Sequence, residues 1–173
     1  MLSLVCRDIC QHAPSLLKIP LRRLPHRLQG PLHEQLLNRV LAEPLQRGQL
    51  DFLNGARLQV WVPDLDYRLT LTLDQGRLRS LATHEADVII RSELQDLIRL
   101  STGEQDPDTL FFRRRLLITG DTELGLACKN MLDSLDPAAQ PAWFRRLLGL
   151  MSAVVRQADM AVQTKAGRGE DNT

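Results

Sequence analysis

Two segments in the middle of the chain alternate apolar and polar residues with a period of two. Leu58, Val60 and Val62 alternate with polar or bulky neighbours, and residues 67–73 (YRLTLTL) repeat the pattern. Such alternation is typical of antiparallel strands with one buried face. Asp74, Gln75 and Gly76 supply a turn that accommodates positive φ. A third strand is therefore expected at residues 77–82 and a fourth at residues 86–91.

The region before the strands has apolar residues three and four positions apart, which predicts an amphipathic helix. Its start is expected at Pro31, because proline is favoured as a first helical residue. It should end near Gly48, and Pro44 should kink it or end it early.

Helix signals return after the fourth strand. Ser92 with Gln95 fits a capping box, for a helix that ends near Gly103. Asp106 followed by Pro107 predicts a short helix that reaches Phe111 and Phe112. A strand is then expected at residues 116–119, and Asp121 should cap a helix through Leu135. This order of elements predicts an α+β fold.

The last apolar pattern begins at Pro141 and predicts a helix of about 20 residues, roughly 30 Å long. The chain therefore divides into a basic, proline-containing arm at residues 1–30, a domain at 31–135, an amphipathic helix at 141–162 and a polar tail at 163–173. The helix is expected to pack on the domain or to cover a cavity in it, and the tail is expected to be disordered.

Composition limits the function of the chain. A formal net charge of +1 over 173 residues argues against nucleic-acid binding. Three cysteines form no plausible disulfide framework, which favours the cytoplasm. The N-terminus is a poor secretory signal, and the longest nearly apolar run covers about nine residues, where a bilayer requires about twenty.

Sequence motifs of the common catalytic sites are absent, including those of serine hydrolases, phosphate-binding loops and dinucleotide-binding folds. Cys6, Cys10 and His12 lack the fourth ligand of a tetrahedral metal site, so two apolar cysteines on one helix face are the better interpretation. Neither a catalytic residue nor a cofactor or metal is therefore expected.

Two charged groups have competing interpretations. Asp106 and Asp108 could form an acid–base pair, but helix capping explains them better. The run Arg113, Arg114 and Arg115 fits a solvated edge as well as a contact to a phosphate or other head group, and the residues alone do not decide between these alternatives.

The stretch of residues 106–130, DPDTLFFRRRLLITGDTELGLACKN, resembles the sterol carrier protein type 2 family. In that family a strand ending in Gly-Asp leads into a helix that walls a lipid tunnel. The resemblance implies a five-stranded, mainly antiparallel sheet covered by helices that enclose a hydrophobic lipid-binding cavity. The residues it suggests for the cavity wall are Phe111, Phe112, Leu116, Ile118, Leu124, Ala127 and Met131.

We expect the C-terminal helix to complete that wall. Its apolar surface is larger than one face against a small sheet requires, although the spacing fits a plain core helix equally well. The residues concerned are Trp143, Leu147, Leu148, Met151, Val154 and Val155.

More narrowly, the same motif and the basic N-terminus resemble the bacterial accessory factors of oxygen-independent ubiquinone biosynthesis. This resemblance implies a protein that binds the polyprenyl tail of ubiquinone precursors, and also phospholipid. Implied partners are an iron–sulfur hydroxylase pair and other enzymes of the same biosynthesis. The alternatives are a general phospholipid carrier, a membrane-peripheral scaffold and, less well supported, an enzyme acting on lipids.

Basic residues lie beside apolar ones at both ends of the chain. Arg145 and Arg146 follow Trp143, and the arm carries Arg7, Lys18, Arg22, Arg23 and Arg27. Each basic residue near an anionic surface contributes about 1 kcal/mol. We therefore expect weak, salt-sensitive contact with anionic membranes.

Overall fold

The computed structural model describes residues 26–153. Most of the predicted arm, the predicted tail, and Val154 and Val155 of the predicted cavity wall lie outside these residues. So do Cys6, Cys10 and His12.

The five strands predicted from the sequence are present and form one sheet. They are β1 (Leu58–Val62), β2 (Tyr67–Asp74), β3 (Arg77–Leu81), β4 (Val88–Ser92) and β5 (Leu116–Gly120). Their order across the sheet is β3-β2-β1-β4-β5. All neighbours are antiparallel except β1 and β4, which run parallel. The expected α+β fold with a mainly antiparallel sheet is confirmed.

Six α-helices accompany the sheet in the described residues. Five are α1 (His26–Val40), α2 (Ala42–Gln46), α3 (Leu94–Thr102), α4 (Pro107–Phe112) and α5 (Thr122–Asp133). The sixth, α6, includes residues 142–153. Short 3-10 turns lie at Asp51–Leu53, Pro63–Leu65 and Pro137–Ala139.

The strand register places alternate residues on a common apolar face, as the period of two requires. Leu58 pairs with Leu71 on one side and with Val88 on the other, and Ile90 pairs with Ile118. This face, which we call the covered face, packs against apolar residues of the 3-10 turn Asp51–Leu53, of α4 and of α5. The buried residues of that layer are Leu53, Leu110, Cys128 and Met131, and Leu50, directly before the turn, is buried with them.

The prolines of the first helical region act differently from one another. Pro31 is not the first helical residue, because α1 has already begun at His26. Its fixed φ suits a helix, so the helix tolerates the loss of one backbone donor. Pro44 does interrupt the helix as predicted: α1 ends at Val40 and α2 starts at Ala42, since Pro44 has no N–H to donate to the Val40 carbonyl.

The capping box predicted at Ser92 is wrong. Ser92 is the last residue of β4, and its hydroxyl donates to the Arg115 carbonyl at 3.0 Å. The start of α3 is stabilised instead by Asp64, whose carboxylate accepts from the Leu94 N–H at 3.1 Å. Because Asp64 lies 30 residues earlier in the chain, a local motif could not reveal it.

The two other predicted caps are confirmed. The Asp106 carboxylate accepts from the Thr109 N–H at 2.7 Å, and these hydrogen bonds hold the pKa of Asp106 below its usual value. Asp121 accepts from the N–H groups of Glu123 and Leu124. Asp108 instead pairs with Lys129 at 2.7 Å. The structure therefore supports capping at Asp106 and an ion pair at Asp108, and not an acid–base pair of the two.

Asn38 of α1 completes the outer edge of the sheet. Its side-chain amide accepts from the Leu78 N–H at 3.0 Å and donates to the Leu78 carbonyl at 2.9 Å, as a neighbouring strand would. Glu34, one turn earlier, accepts from the Ser80 N–H at 3.0 Å. These polar contacts fix α1 along the edge strand β3.

Replacing Asn38 with leucine should destabilise the protein by about 1–3 kcal/mol, because both backbone groups of Leu78 lose their partner. Chemical denaturation of the purified variant measures this change. The matched control is Gln35→Leu at an exposed position of the same helix, which should stay within about 0.5 kcal/mol of the parent protein. Equal effects of the two substitutions would contradict the role of Asn38.

Candidate functional site

Four of the residues predicted to line a cavity lie together between β5 and α5. Leu116 and Met131 are buried in the main apolar cluster, and Ile118 and Leu124 pack against it half-buried. Ala127 is half-buried on the same helix. These residues form a continuous apolar layer, and its half-buried members are the ones that an apolar ligand would contact.

Two predicted residues lie instead at the surface of the described chain. Phe111 is 39% exposed and Phe112 is 80% exposed, and their rings contact each other edge to face at 6.1 Å. The buried residue of α4 is Leu110, which is not among the residues predicted to line the cavity. Asp108 precedes Phe111 and Phe112 by three and four residues and therefore shares their exposed side of the helix, and this polar neighbour was the available signal.

The C-terminal helix α6 has two apolar sides. Leu148 is buried and Met151 half-buried, whereas Trp143 and Leu147 are each 45% exposed and Leu150 is 69% exposed. The inner side is held to the domain by Ser152, which is buried and donates to a carboxylate oxygen of Glu104 at 2.6 Å. The predicted cavity-wall residues of α6 therefore lie on two sides of the helix. Leu148 and Met151 lie on the inner side, and Trp143 and Leu147 lie on an outer side that is also apolar.

The centre of the covered face carries apolar residues that the described helices cover only in part. Val60 pairs with Leu69 on β2 and with Ile90 on β4, and Ile90 pairs with Ile118 on β5. Ile90 is buried, but Val60, Leu69 and Ile118 are half-buried. The row Val60, Leu69, Ile90 and Ile118, which we call the central row, is thus an apolar surface to which an additional apolar group has access.

The site residues predicted from the sequence include Ile118 but not Val60 and Leu69. Their alternation identified them as strand residues with a buried face, and nothing local separated a fully buried position from a half-buried one. The enclosed cavity that the family resemblance implies stays a prediction.

The arginine run is divided among different surroundings. Arg115 donates through Nε to Asp96 at 2.8 Å, while Arg114 has a left-handed backbone with φ of 58° and an exposed side chain. Arg113 is also exposed. Arg114 and Arg115 line an open cleft of about 140 Å³, which Arg113 does not line. The ion pair of Arg115 was missed because its partner lies 19 residues away in α3.

Tyr67 lies on the covered face and joins β2 to α1. Its hydroxyl lies 2.8 Å from Nε2 of His33. Burial disfavours the charged phenolate and raises the pKa of Tyr67 to about 12. The folded state therefore keeps a proton that the unfolded chain loses near pH 10, so stability should fall as the pH rises from about 10 to about 12.

This shift can be measured directly, because Tyr67 is the only tyrosine of the chain. Titration of the tyrosinate ultraviolet absorbance, with circular dichroism to confirm that the protein stays folded, should give a midpoint near 12. In denaturant the midpoint should return to about 10. Tyr67→Phe should abolish the titration, and a folded protein that titrates near 10 would contradict the burial argument.

Within residues 26–153, no group of three or more His, Cys, Asp or Glu side chains is placed to hold a metal ion. None of the helices in that range is long and apolar enough to span a bilayer.

Comparisons with known proteins point to one family. The model of the SCP-2 sterol transfer family matches residues 34–133. The ubiquinone biosynthesis accessory factor UbiT of Escherichia coli (strain K12) is 35% identical over 171 residues, which cover 96% of this chain and 98% of that protein. The protein of the same name from Escherichia coli O157:H7 matches to the same extent.

Two solved structures are similar to part of this chain. The UbiJ-SCP2 ubiquinone synthesis protein has 22% identity and a TM-score of 0.46, over 58% of this chain and 89% of that one. A crystal structure of sterol carrier protein 2 has 16% identity and a TM-score of 0.34, over 53% of this chain and 95% of that one.

Proposed function

Because this chain belongs to the SCP-2 sterol transfer family and is related along nearly its whole length to the accessory factor UbiT, we propose that it is a non-catalytic lipid-binding accessory factor of ubiquinone biosynthesis. It binds the polyprenyl tail of ubiquinone precursors and presents them to the enzymes that modify the ring. We place this activity in the oxygen-independent branch and in the cytoplasm.

The central row is the observation that carries the proposal. Val60, Leu69 and Ile118 are half-buried in the middle of the covered face. In a protein that binds no ligand, complete burial of these side chains would increase the stability of the fold. Shielding an isoprenoid tail from water is worth about 0.8 kcal/mol per buried CH₂ group. The apolar surface of the central row offers such shielding, and we propose that α6 covers it.

The outer side of α6 supports the second part of the proposal, contact with partner enzymes. Trp143, Leu147 and Leu150 are spaced four and three residues apart and are exposed, so they form one apolar stripe on the helix. Exposed apolar stripes rimmed by charges are typical of protein or membrane contact sites. The proposed partners are the modifying enzymes, among them an iron–sulfur hydroxylase pair; nucleic acid is not among them.

The test is to identify the lipid that the protein carries. The full chain is purified under mild conditions from a quinone-producing bacterium grown without oxygen, and its organic extract is analysed by mass spectrometry. A stoichiometric polyprenyl quinone or precursor is the expected result. Phospholipid alone would replace the proposal with a general lipid carrier, and a protein that binds the enzymes without lipid would indicate a scaffold.

The same stripe and its neighbours Arg145 and Arg146 predict peripheral membrane binding. The protein should sediment with vesicles containing phosphatidylglycerol at low salt and be released at high salt, because the attraction of exposed charges is screened. Leu150→Glu should reduce the bound fraction at least roughly threefold through charge repulsion and lost apolar contact. Leu126→Glu, at a leucine of α5 that is also well exposed, is the control. Sedimentation that salt does not change would contradict the prediction.

A further inference from the structure

The sheet has a second face, opposite to the covered face, and two arginines lie there beside a tryptophan. Side chains alternate between the two faces of a strand, so Trp61 points away from the side of the central row, to which Val60 belongs. Trp61 pairs with Arg68 on β2 and with Arg91 on β4, and Arg91 pairs with Leu117 on β5. We call these four residues, Arg68, Trp61, Arg91 and Leu117, the basic row.

The basic row is open to solvent, although its neighbours on the same face are covered. Gln59 and Thr70, one row along, are buried beneath residues 83–84, whose carbonyl groups accept from their side chains at 3.1 and 2.7 Å. In the basic row, both arginines are exposed and the two other side chains are half-buried. A partner in solution therefore has access to this row.

The tryptophan holds the two arginines of the row in place. The guanidinium carbons of Arg68 and Arg91 lie 4.3 and 4.8 Å from the centre of the Trp61 ring. Such cation–π contacts restrict side chains that would otherwise be mobile. An arginine that stacks on a ring can still present its planar fork of N–H donors to a carboxylate, and it loses less conformational entropy when it binds.

The charge of the basic row is not neutralised within the described part of the chain, where neither arginine of the row takes part in an ion pair. Glu93 and Asp96 line the open cleft together with Arg91, but they pair with Arg115 at 3.9 and 2.8 Å. Arg114 lines the same cleft with an exposed side chain. The basic row and Arg114 therefore form one positive surface on a chain whose formal net charge is only +1.

This surface suits a protein partner better than a membrane or a small ligand. Surfaces that enter a membrane present exposed apolar groups, as the outer side of α6 does, but both apolar side chains of the basic row are half-buried. Small ligands bind in concave sites, whereas the row crosses four strands of an open sheet face. We propose that the basic row is a docking surface for an acidic segment of a partner protein, whose carboxylates accept paired hydrogen bonds from Arg68 and Arg91.

The basic row and the central row lie on opposite faces of the sheet, so a partner docked on the first leaves the second free to hold an apolar ligand. That the partner is one of the modifying enzymes rests on the proposed function. The acidic chemistry of its docking segment rests on the basic row alone.

The test uses a short fluorescent peptide of alternating glutamate and alanine, and the same peptide with glutamine in place of glutamate. The full-length protein is titrated into each peptide at low salt, and fluorescence anisotropy gives the affinities. The glutamate peptide should bind at least roughly tenfold more tightly than the glutamine peptide, and high salt should weaken its binding. Equal affinities, or no binding of the glutamate peptide, would overturn the proposal.

Variants locate the binding. Arg68→Gln combined with Arg91→Gln should weaken binding of the glutamate peptide at least roughly fivefold, since two arginine–carboxylate pairs are lost. The matched control, Arg39→Gln combined with Arg77→Gln, removes the same charge from exposed positions beside the outer edge of β3 and should change the affinity less than twofold. Equal losses in the two double variants would show that net charge alone attracts the peptide and would overturn the proposal. Trp61→Leu keeps every charge and should weaken binding about threefold, because the arginines are no longer held.

Two other probes distinguish a protein partner from other anionic surfaces. The Arg68→Gln, Arg91→Gln variant should bind vesicles containing phosphatidylglycerol as well as the control double variant does. Loss of vesicle binding without loss of peptide binding would overturn the proposal in favour of a membrane surface. A single-stranded DNA oligonucleotide that binds more tightly than the glutamate peptide, and loses this binding in the same variant, would overturn it in favour of nucleic acid.

The proposed function is measured separately through the co-purified lipid. A protein that carries polyprenyl lipid but does not bind the glutamate peptide disproves this inference alone. One that binds the peptide through the basic row but carries no lipid disproves the proposed function alone.

Discussion

Replacing Gly120 with alanine should destabilise the protein by about 3 kcal/mol or more, with a corresponding loss of soluble yield. Gly120 has a φ of 113°, and a Cβ atom there would lie 2.3 Å from the carbonyl oxygen of Asp87. The opposing atom belongs to the backbone, so no side-chain rotation can relieve the contact. Chemical denaturation followed by circular dichroism measures the loss.

Gly149→Ala is the matched control, for which we expect no loss of stability. Gly149 lies within α6, and a Cβ atom there would meet nothing within 4 Å. Alanine is favoured over glycine in helices by about 1 kcal/mol, so this variant should be as stable as the parent protein or slightly more stable. A Gly120→Ala variant of parental stability would show that the close approach of β5 and β4 does not constrain this position.

These contacts give a physical reason for the Gly-Asp junction on which the family resemblance rests. Gly120 lets β5 pass close to Asp87, and the next N–H, that of Asp121, donates to the Asp87 carbonyl at 2.8 Å. The Asp121 carboxylate then caps α5. The two residues together turn the chain from strand to helix in one step.

Replacing Leu148 with alanine should detach α6 from the domain and lower the amount of co-purified lipid several-fold. Truncation of a buried leucine costs about 2–5 kcal/mol, and each 1.4 kcal/mol changes the docking equilibrium about tenfold. In the described part of α6, Ser152 also holds the helix to the domain through its hydrogen bond to Glu104. Limited proteolysis reports the detachment, and mass spectrometry of the extract reports the lipid.

Leu147→Ala removes the same atoms from the exposed neighbour and should leave both proteolysis and retained lipid close to those of the parent protein. The comparison tests the proposal that α6 covers the lipid. A detached helix in a protein that still carries its full amount of lipid would contradict it.

Local patterns predicted the strands, the turn between β2 and β3, and two of three caps. The turn is a good example: Gln75 and Gly76 have φ values of 49° and 72°, as a tight hairpin requires. Each of these features depends on residues that are close in sequence. The helix interruption before Pro44 also follows from one residue and its missing donor.

The features that the sequence did not reveal depend on distant partners. Asp64 caps α3 from across the fold, and Asp96 pairs with Arg115 from another element. The sequence also did not show which site residues are exposed. Phe112 and Leu110 are both large apolar residues, but Phe112 is exposed and Leu110 is buried. Periodicity identifies a face of a helix or strand, but only the assembled fold shows how completely that face is covered.

The parallel pairing of β1 with β4 has a consequence for the order of folding. Residue 58 pairs with residue 88, and the intervening chain contains the entire β2–β3 hairpin. Loop-closure entropy delays such distant pairings, and folds that depend on them complete slowly. During synthesis the edge of β1 that β4 will occupy stays open until Ser92 has been made, so the middle of the sheet is sealed after its outer hairpin.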